Sequence, residues 1–323
     1  MNSIGGYFEL ELRQGEHYHP NALQLNTARN CLEYILRARR YQKVYIPYYT
    51  CEVILEPINK LQVSYEFYPI NHKLEPVNDY KLSGNEAFLY TNYFGLKQDT
   101  VRKLANSYGK NLIVDSSQAF YAKPIEGTDT FYSARKFFGV PDGAYLYTDQ
   151  YLDETFAQDI SYTRMLHLCK RIDRGAEFGY DDFKRNDGLL SNQPIKKMSK
   201  LTAQILKSID YYSVKEKRRA NYLYLANRLG SRNRLSFDLT DEDVPMVYPF
   251  WGGQENLKLL FIQHKIFVAT YWSNVLEWLK EEDGYEKQLT NDLAPLPIDQ
   301  RLNINNLDKI CSVISTAMTA KLR

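Results

Sequence analysis

The chain has 323 residues, enough for about two domains of ordinary size and for a sizeable buried core. Lys and Arg number 41 against 39 for Asp and Glu, a net charge of +2, which argues against a dedicated nucleic-acid binder. Apolar residues make up 44% and charged residues 25%, a globular mix. No run approaches the ~20 apolar residues of a membrane span, and the start shows no secretory signal, so a cytoplasmic protein is expected.

In chain order, Lys43 to Pro47 reads as a short strand and Glu52 to Lys60 as a helix. Val63 to Ile70 and Ala87 to Thr91 read as strands, and Asp99 to Tyr108 as a helix. Asn111 to Asp115 is a buried strand, followed by strands over Thr130 to Ser133 and Ala144 to Thr148. Strands alternating with crossover helices predict an α/β domain with a mostly parallel sheet. Ligands of such sheets bind beyond the carboxyl ends of the strands. From Met198 to about Leu229 the apolar spacing fits one long helix, with Gly230 as a C-cap signal. Its basic run Lys215-Glu216-Lys217-Arg218-Arg219 is a solvated face or an anion or partner contact. Residues 1–215 are expected to form a large domain and 216–323 a smaller α+β one.

Three segments carry possible chemistry. Asp115 closes a buried strand, where a carboxylate is costly unless it meets a cation or several donors; Gln118 follows three residues later. The alternative is a helix N-cap. Lys136 lies among aromatics ahead of a Gly139–Gly143 loop, a setting that desolvates an amine and makes it nucleophilic. The alternative is a surface Arg-Lys pair before a turn. Thr27, Ala28, Arg29 and Asn30 open an amphipathic helix whose free N–H groups suit a phosphate, or form an ordinary cap. There is no GxGxxG, P-loop or GxSxG motif. Cys31, Cys51, Cys169 and Cys311 show no metal or disulfide spacing and read as buried reduced thiols. His17 and His19 read as loop residues rather than a metal site, so no metal is expected. The 27 tyrosines suggest a polar cleft or an amphipathic interface.

Taken in order, these segments resemble the DegT/DnrJ/EryC1/StrS family of sugar aminotransferases. The elements are Gly5-Gly6-Tyr7-Phe8, Ala28-Arg29-Asn30-Cys31-Leu32, Ile46-Pro47-Tyr48-Tyr49-Thr50, Asp115-Ser116-Ser117-Gln118-Ala119-Phe120, Ser133-Ala134-Arg135-Lys136-Phe137-Phe138-Gly139, Met198-Ser199-Lys200-Leu201 and Leu296-Pro297-Ile298-Asp299-Gln300-Arg301. The most specific part is the Asp-x-x-Gln-Ala element with a lysine 21 residues after its aspartate. The resemblance implies a fold type I transferase with pyridoxal 5'-phosphate as cofactor. It implies a sheet of the seven-stranded type in the large domain. Lys136 matches the lysine that holds the cofactor and transfers protons. Asp115 matches the acid at the pyridine nitrogen and Gln118 the residue near the ring hydroxyl. Thr27, Ala28, Arg29, Asn30 and Ser133 match phosphate-binding positions. Cys51 occupies the place of the aromatic that stacks on the ring, a role then open to Tyr48, Tyr49 or Tyr93. Phe131 and Ile195 stand where relatives place a serine and an asparagine. The implied substrates are an amino donor such as glutamate and a nucleotide-linked keto-sugar, in amino-sugar or surface-polysaccharide biosynthesis. The implied assembly is a homodimer. The alternative is a non-catalytic or regulatory member.

Overall fold

The structure is a computed structural model that describes residues 4–253, 257–279 and 284–320. A seven-stranded sheet is built from β1 (Leu23–Leu25), β2 (Lys43–Pro47), β3 (Ser64–Tyr68), β4 (Glu86–Thr91), β5 (Leu112–Asp115), β6 (Asp129–Ser133) and β7 (Ala144–Tyr147). Its order is β1-β7-β6-β5-β4-β2-β3. Strands β3, β2, β4, β5 and β6 run parallel. The sheet is thus mostly parallel, as expected, with β7 antiparallel to both β6 and β1.

The central strands are buried on both faces, as covered parallel sheets are. Alternation divides their side chains between two cores. Val44, Ile46, Leu89 and Ile113 pack with Leu32 and Ile35 of α1 (Ala28–Arg39) on one face. Tyr45, Phe88, Tyr90 and Val114 enter the larger core on the other. Crossovers are made by α1, α2 (Leu55–Lys60) and α3 (Gln98–Tyr108). The helix expected from Glu52 begins as a 3-10 turn, Glu52–Ile54, before α2.

Beyond β7 lie α4 (Leu166–Arg174) and α5 (Ala176–Leu189), packed on each other. The single helix expected from Met198 to Leu229 is two: α6 (Lys200–Lys207) and α7 (Tyr211–Leu229). Asp210 breaks it. Its carboxylate accepts from the Ser213 N–H at 3.0 Å, capping α7 afresh. Gly230 is the C-cap of α7 but keeps right-handed helical dihedrals. The expected boundary at 215 falls inside α7, which packs on α11 (Ile304–Ala320) and β8 (Val247–Phe250). β8 pairs antiparallel with β9 (Ala294–Pro297). Helices α8 (Leu257–Gln263), α9 (Asn274–Trp278) and α10 (Tyr285–Asp292) complete this part.

The basic run of α7 is not a solvated face. Arg218 is buried, Lys215, Lys217 and Arg219 are half-buried, and Glu216 alone of the five is exposed. The cysteines are free, but only Cys31 and Cys311 are buried; Cys169 stands exposed on α4.

Candidate functional site

The carboxyl ends of β5 and β6 lie side by side, with Asp115 opposite Phe131. Asp115 is buried, and one of its oxygens accepts the Ser117 N–H at 2.8 Å. Burial pushes its carboxyl upward in pKa; the Ser117 contacts and the Lys136 charge oppose this. Among the described residues no cation reaches Asp115 at ion-pair distance, so its carboxylate is buried without an ionic partner. Beside it on β4, opposite in register, the buried Thr91 hydroxyl has no hydrogen-bond partner.

Chain geometry after β6 presents Lys136. Ala134–Lys136 is a 3-10 turn, in which neighbours point apart. Phe137 and Phe138 turn into the core while Lys136 is exposed. The expectation of an amine desolvated between aromatics is therefore corrected: the rings pack inward and leave Lys136 exposed. Its charge still acts on both Asp115 and Cys51, placing the three around one space. Burial raises the Cys51 thiol and Lys136 pulls it back.

The start of α1 meets this space through the sheet. Leu25 pairs with Ala144, which pairs with Ser133 on its other side. The Gly143 N–H donates to the Asn26 carbonyl at 2.6 Å. Thr27 caps α1, accepting from the Asn30 N–H at 3.1 Å and donating to the Asn30 side chain. The N–H groups of Ala28 and Arg29 have no partner within the helix. The guanidinium of Arg29 is turned away, 2.7 Å from Glu56 and 2.9 Å from the Ser191 hydroxyl. Ser133 ends β6, buried.

Gln118 is buried, with its Oε1 accepting the Phe94 N–H at 2.8 Å. Of the tyrosines considered for ring stacking, Tyr49 and Tyr93 pack on each other with ring centroids 5.7 Å apart. Tyr49 and Tyr93 are wholly buried, and Tyr48 stacks on Phe67 with centroids 4.8 Å apart. Ile195 is buried in the core on the α1 face. His17 and His19 bond Tyr145 and Phe120, and among the described residues no three metal-ligating side chains gather.

Sequence reasoning missed two supports of the lysine loop. Asp142, wholly buried, accepts from the Ser199 N–H at 2.8 Å, the Ser199 hydroxyl at 2.7 Å and the Thr202 hydroxyl, joining the loop to the cap of α6. Gly143 follows with φ +112°, and a Cβ there would lie 2.8 Å from the Thr202 methyl, so the turn demands glycine. The second support is Arg218, whose guanidinium lies 4.5 Å over the Phe137 ring. A signal for Asp142 existed in the Pro-Asp-Gly turn; none marked Arg218 among its basic neighbours.

No family model and no curated protein matches the chain. Solved structures do. DesV from S. venezuelae, in complex with a ketimine intermediate, has a TM-score of 0.63 at 15% identity, over 92% of this chain and 84% of that one. A DegT DnrJ EryC1 StrS aminotransferase from Brucella abortus has 0.58 at 14%, over 91% and 85%. The putative sugar aminotransferase Spr1654 from Streptococcus pneumoniae, in its PLP form, has 0.61 at 13%, over 92% and 87%. The chain thus shares the fold of these aminotransferases, the fold type I architecture expected from its sequence.

Proposed function

We propose that the chain is a pyridoxal 5'-phosphate-dependent aminotransferase that moves an amino group from glutamate to a nucleotide-linked keto-sugar, in amino-sugar or surface-polysaccharide biosynthesis. The observation that carries this reading is a buried, ionically unpaired Asp115 carboxylate beside an exposed Lys136 amine, at adjacent strand ends. A buried carboxylate without a counter-ion is unfavourable, and a protonated pyridine nitrogen is the partner it lacks. The residues present therefore fit the cofactor.

When bound, pyridoxal phosphate supplies an electrophilic carbon and a ring that accepts negative charge from the reacting carbon. Asp115 keeps a proton on the ring nitrogen. Lys136, exposed beside Asp115, would hold the cofactor through its amine and serve as base and then acid for the proton of the reacting carbon. Ala28 and Arg29 offer backbone N–H groups and the helix dipole to the phosphate, with Thr27 and Asn30 shaping the cap and Ser133 beside it. Gln118, its Oε1 held by Phe94, has its amide nitrogen left to donate to a ring oxygen. Cys51 borders the same space.

The large unit to about residue 215 carries these residues. A homodimer is supported by the exposed apolar side chains of α4 and α5, among them Leu166, Ile172, Phe178 and Phe183. No helix among the described residues is long and apolar enough to cross a membrane.

The test is spectroscopic. Purified protein given pyridoxal phosphate should turn yellow, lose that band on adding glutamate, and fail to retain covalent cofactor as Lys136→Ala. Absence of uptake by the wild type ends the proposal. A second reading, a non-catalytic or regulatory cofactor-binding protein, is favoured by Cys51, Phe131 and Ile195 in place of the aromatic, serine and asparagine of relatives, and by the stacking of Tyr48 on Phe67. It requires uptake without any loss of the band to amino donors.

A further inference from the structure

Arg218 is the largest wholly buried side chain of the described residues, and it has no carboxylate within ion-pair distance among them. Burial lowers its pKa to about 10, with Asp299 opposing through space, so it remains charged at neutral pH. A buried, unpaired cation is expensive to keep. What it holds is the backbone on both sides of the proposed site. Its Nη2 lies 3.5 Å from the Phe137 carbonyl and its Cζ lies 4.5 Å from the centroid of the Phe137 ring. Its Nε donates to Gln300 at 3.2 Å, and Gln300 in turn donates to the same Phe137 carbonyl at 3.1 Å. Its Nη1 lies 3.0 Å from the Met246 carbonyl and 3.4 Å from that of Pro245. The Met246 N–H donates to the Phe94 carbonyl at 2.8 Å, and the Phe94 N–H donates to Gln118.

One guanidinium thus stands one residue from Lys136 along one branch, and behind Gln118 along the other. We propose that Arg218 is a positioning residue: with Gln300, it clamps the Phe137 carbonyl and ring so that the neighbouring Lys136 amine faces the cofactor space, and through Met246 and Phe94 it holds Gln118 in register with that amine. This rests on the reading of Lys136 and Gln118 as cofactor-binding residues. It adds that their placement is set from α7, outside the lysine loop. A planar fork is required, because only it can stack on a ring while donating in several directions.

The test uses Arg218→Met, which keeps side-chain bulk without charge or donors, and Arg218→Lys, which restores charge without the plane. In the cofactor-free protein, amide exchange of residues 134–140 should quicken at least tenfold in R218M, while that of 28–39 stays unchanged. Covalent modification of Lys136 by sub-saturating pyridoxal phosphate, trapped with borohydride and located by mass spectrometry, should fall at least fivefold. R218K should recover less than half of either loss. A folded R218M with wild-type exchange and wild-type labelling overturns the proposal, as does full recovery in R218K. If R218M does not fold, Gln300→Leu removes only the second donor to Phe137 and should move both readouts in the same direction, at least twofold; no change refutes the clamp. A wild type that is not labelled at Lys136 refutes the cofactor reading instead, and the exchange measurement then decides the clamp alone.

Discussion

His19 is a buried histidine that must stay neutral, and acid should unfasten it. Its Nε2 lies 2.8 Å from the Phe120 carbonyl, which only accepts, so Nε2 carries the proton. Nδ1 is then bare and accepts from the Tyr147 hydroxyl at 3.3 Å. The ring packs 4.2 Å from that of Tyr132. A second proton would land on Nδ1 against a hydroxyl already oriented to donate, in a site that water does not reach. Burial accordingly lowers the pKa from 6.5 to about 4, with the Phe120 bond opposing. The folded state binds this proton less readily than the unfolded chain, so stability present above pH 6.5 is lost as pH falls toward 4. At about 1.4 kcal/mol per pH unit, the loss is about 3 kcal/mol. Urea unfolding across pH 4–7 measures it against His19→Gln, whose amide can donate to Phe120 and accept from Tyr147 but does not titrate. At pH 7 the wild type should be the more stable by its ring packing, about 1–2 kcal/mol. That advantage should vanish or reverse by pH 4. A difference constant to within ~0.5 kcal/mol over the range would refute the reasoning. So would a His19 ring proton that titrates by NMR near pH 6.5.

Two further outcomes follow from the site. Asp142→Ala leaves the buried Ser199 N–H without an acceptor and removes three bonds to a charged group; with Ser199 still bonded to Ser161, the cost should be about 3–5 kcal/mol, read as a lowered urea midpoint, and a loss under ~1 kcal/mol would discount the tie. Asp115→Asn should behave oppositely in the cofactor-free protein. The raised carboxyl makes folding favour the protonated form, so wild-type stability present below pH ~3.8 declines as pH rises through the folded pKa. D115N should escape that decline, match or exceed the wild type at pH 7, and bind pyridoxal phosphate more weakly; thermal melts with and without cofactor would contradict this if D115N were the less stable without it.

Much of the sheet was legible because covered parallel strands are continuous apolar runs. β2, β4, β5, β6 and β7 fall within a residue or two of where Lys43, Ala87, Asn111, Thr130 and Ala144 begin them. β1 was not, since three residues paired to a strand far along the chain leave no local pattern. The break at Asp210 was missed because apolar spacing outweighed a capping side chain. Helices α4 and α5 were not anticipated; their apolar residues Leu166, Ile172, Phe178 and Phe183 stand exposed, outside both cores. At the site, the spacing of Asp115 and Lys136 was readable, and so was their neighbourhood. Whether the amine is desolvated depends on which way a turn points successive side chains, and the aromatic neighbours misled. Arg29 and Arg218 show the same limit: one was read with its helix start and the other with its basic run, but the contacts of each guanidinium are to partners distant in sequence, Glu56 and Ser191 for one, Phe137, Met246 and Gln300 for the other.

The sheet order has a consequence for synthesis. β1 pairs in the sheet with β7 alone, and five strands separate the two along the chain. α1 springs directly from β1, so the helix terminus beside Ser133 leaves the ribosome early and has no seat until β7 follows. At ordinary elongation rates that wait is on the order of ten seconds. During it, the apolar stripe of α1 that covers Val44, Leu89 and Ile113 waits for the strand that joins β1 to the sheet, and the first piece of the site to be made is placed only once most of the sheet exists.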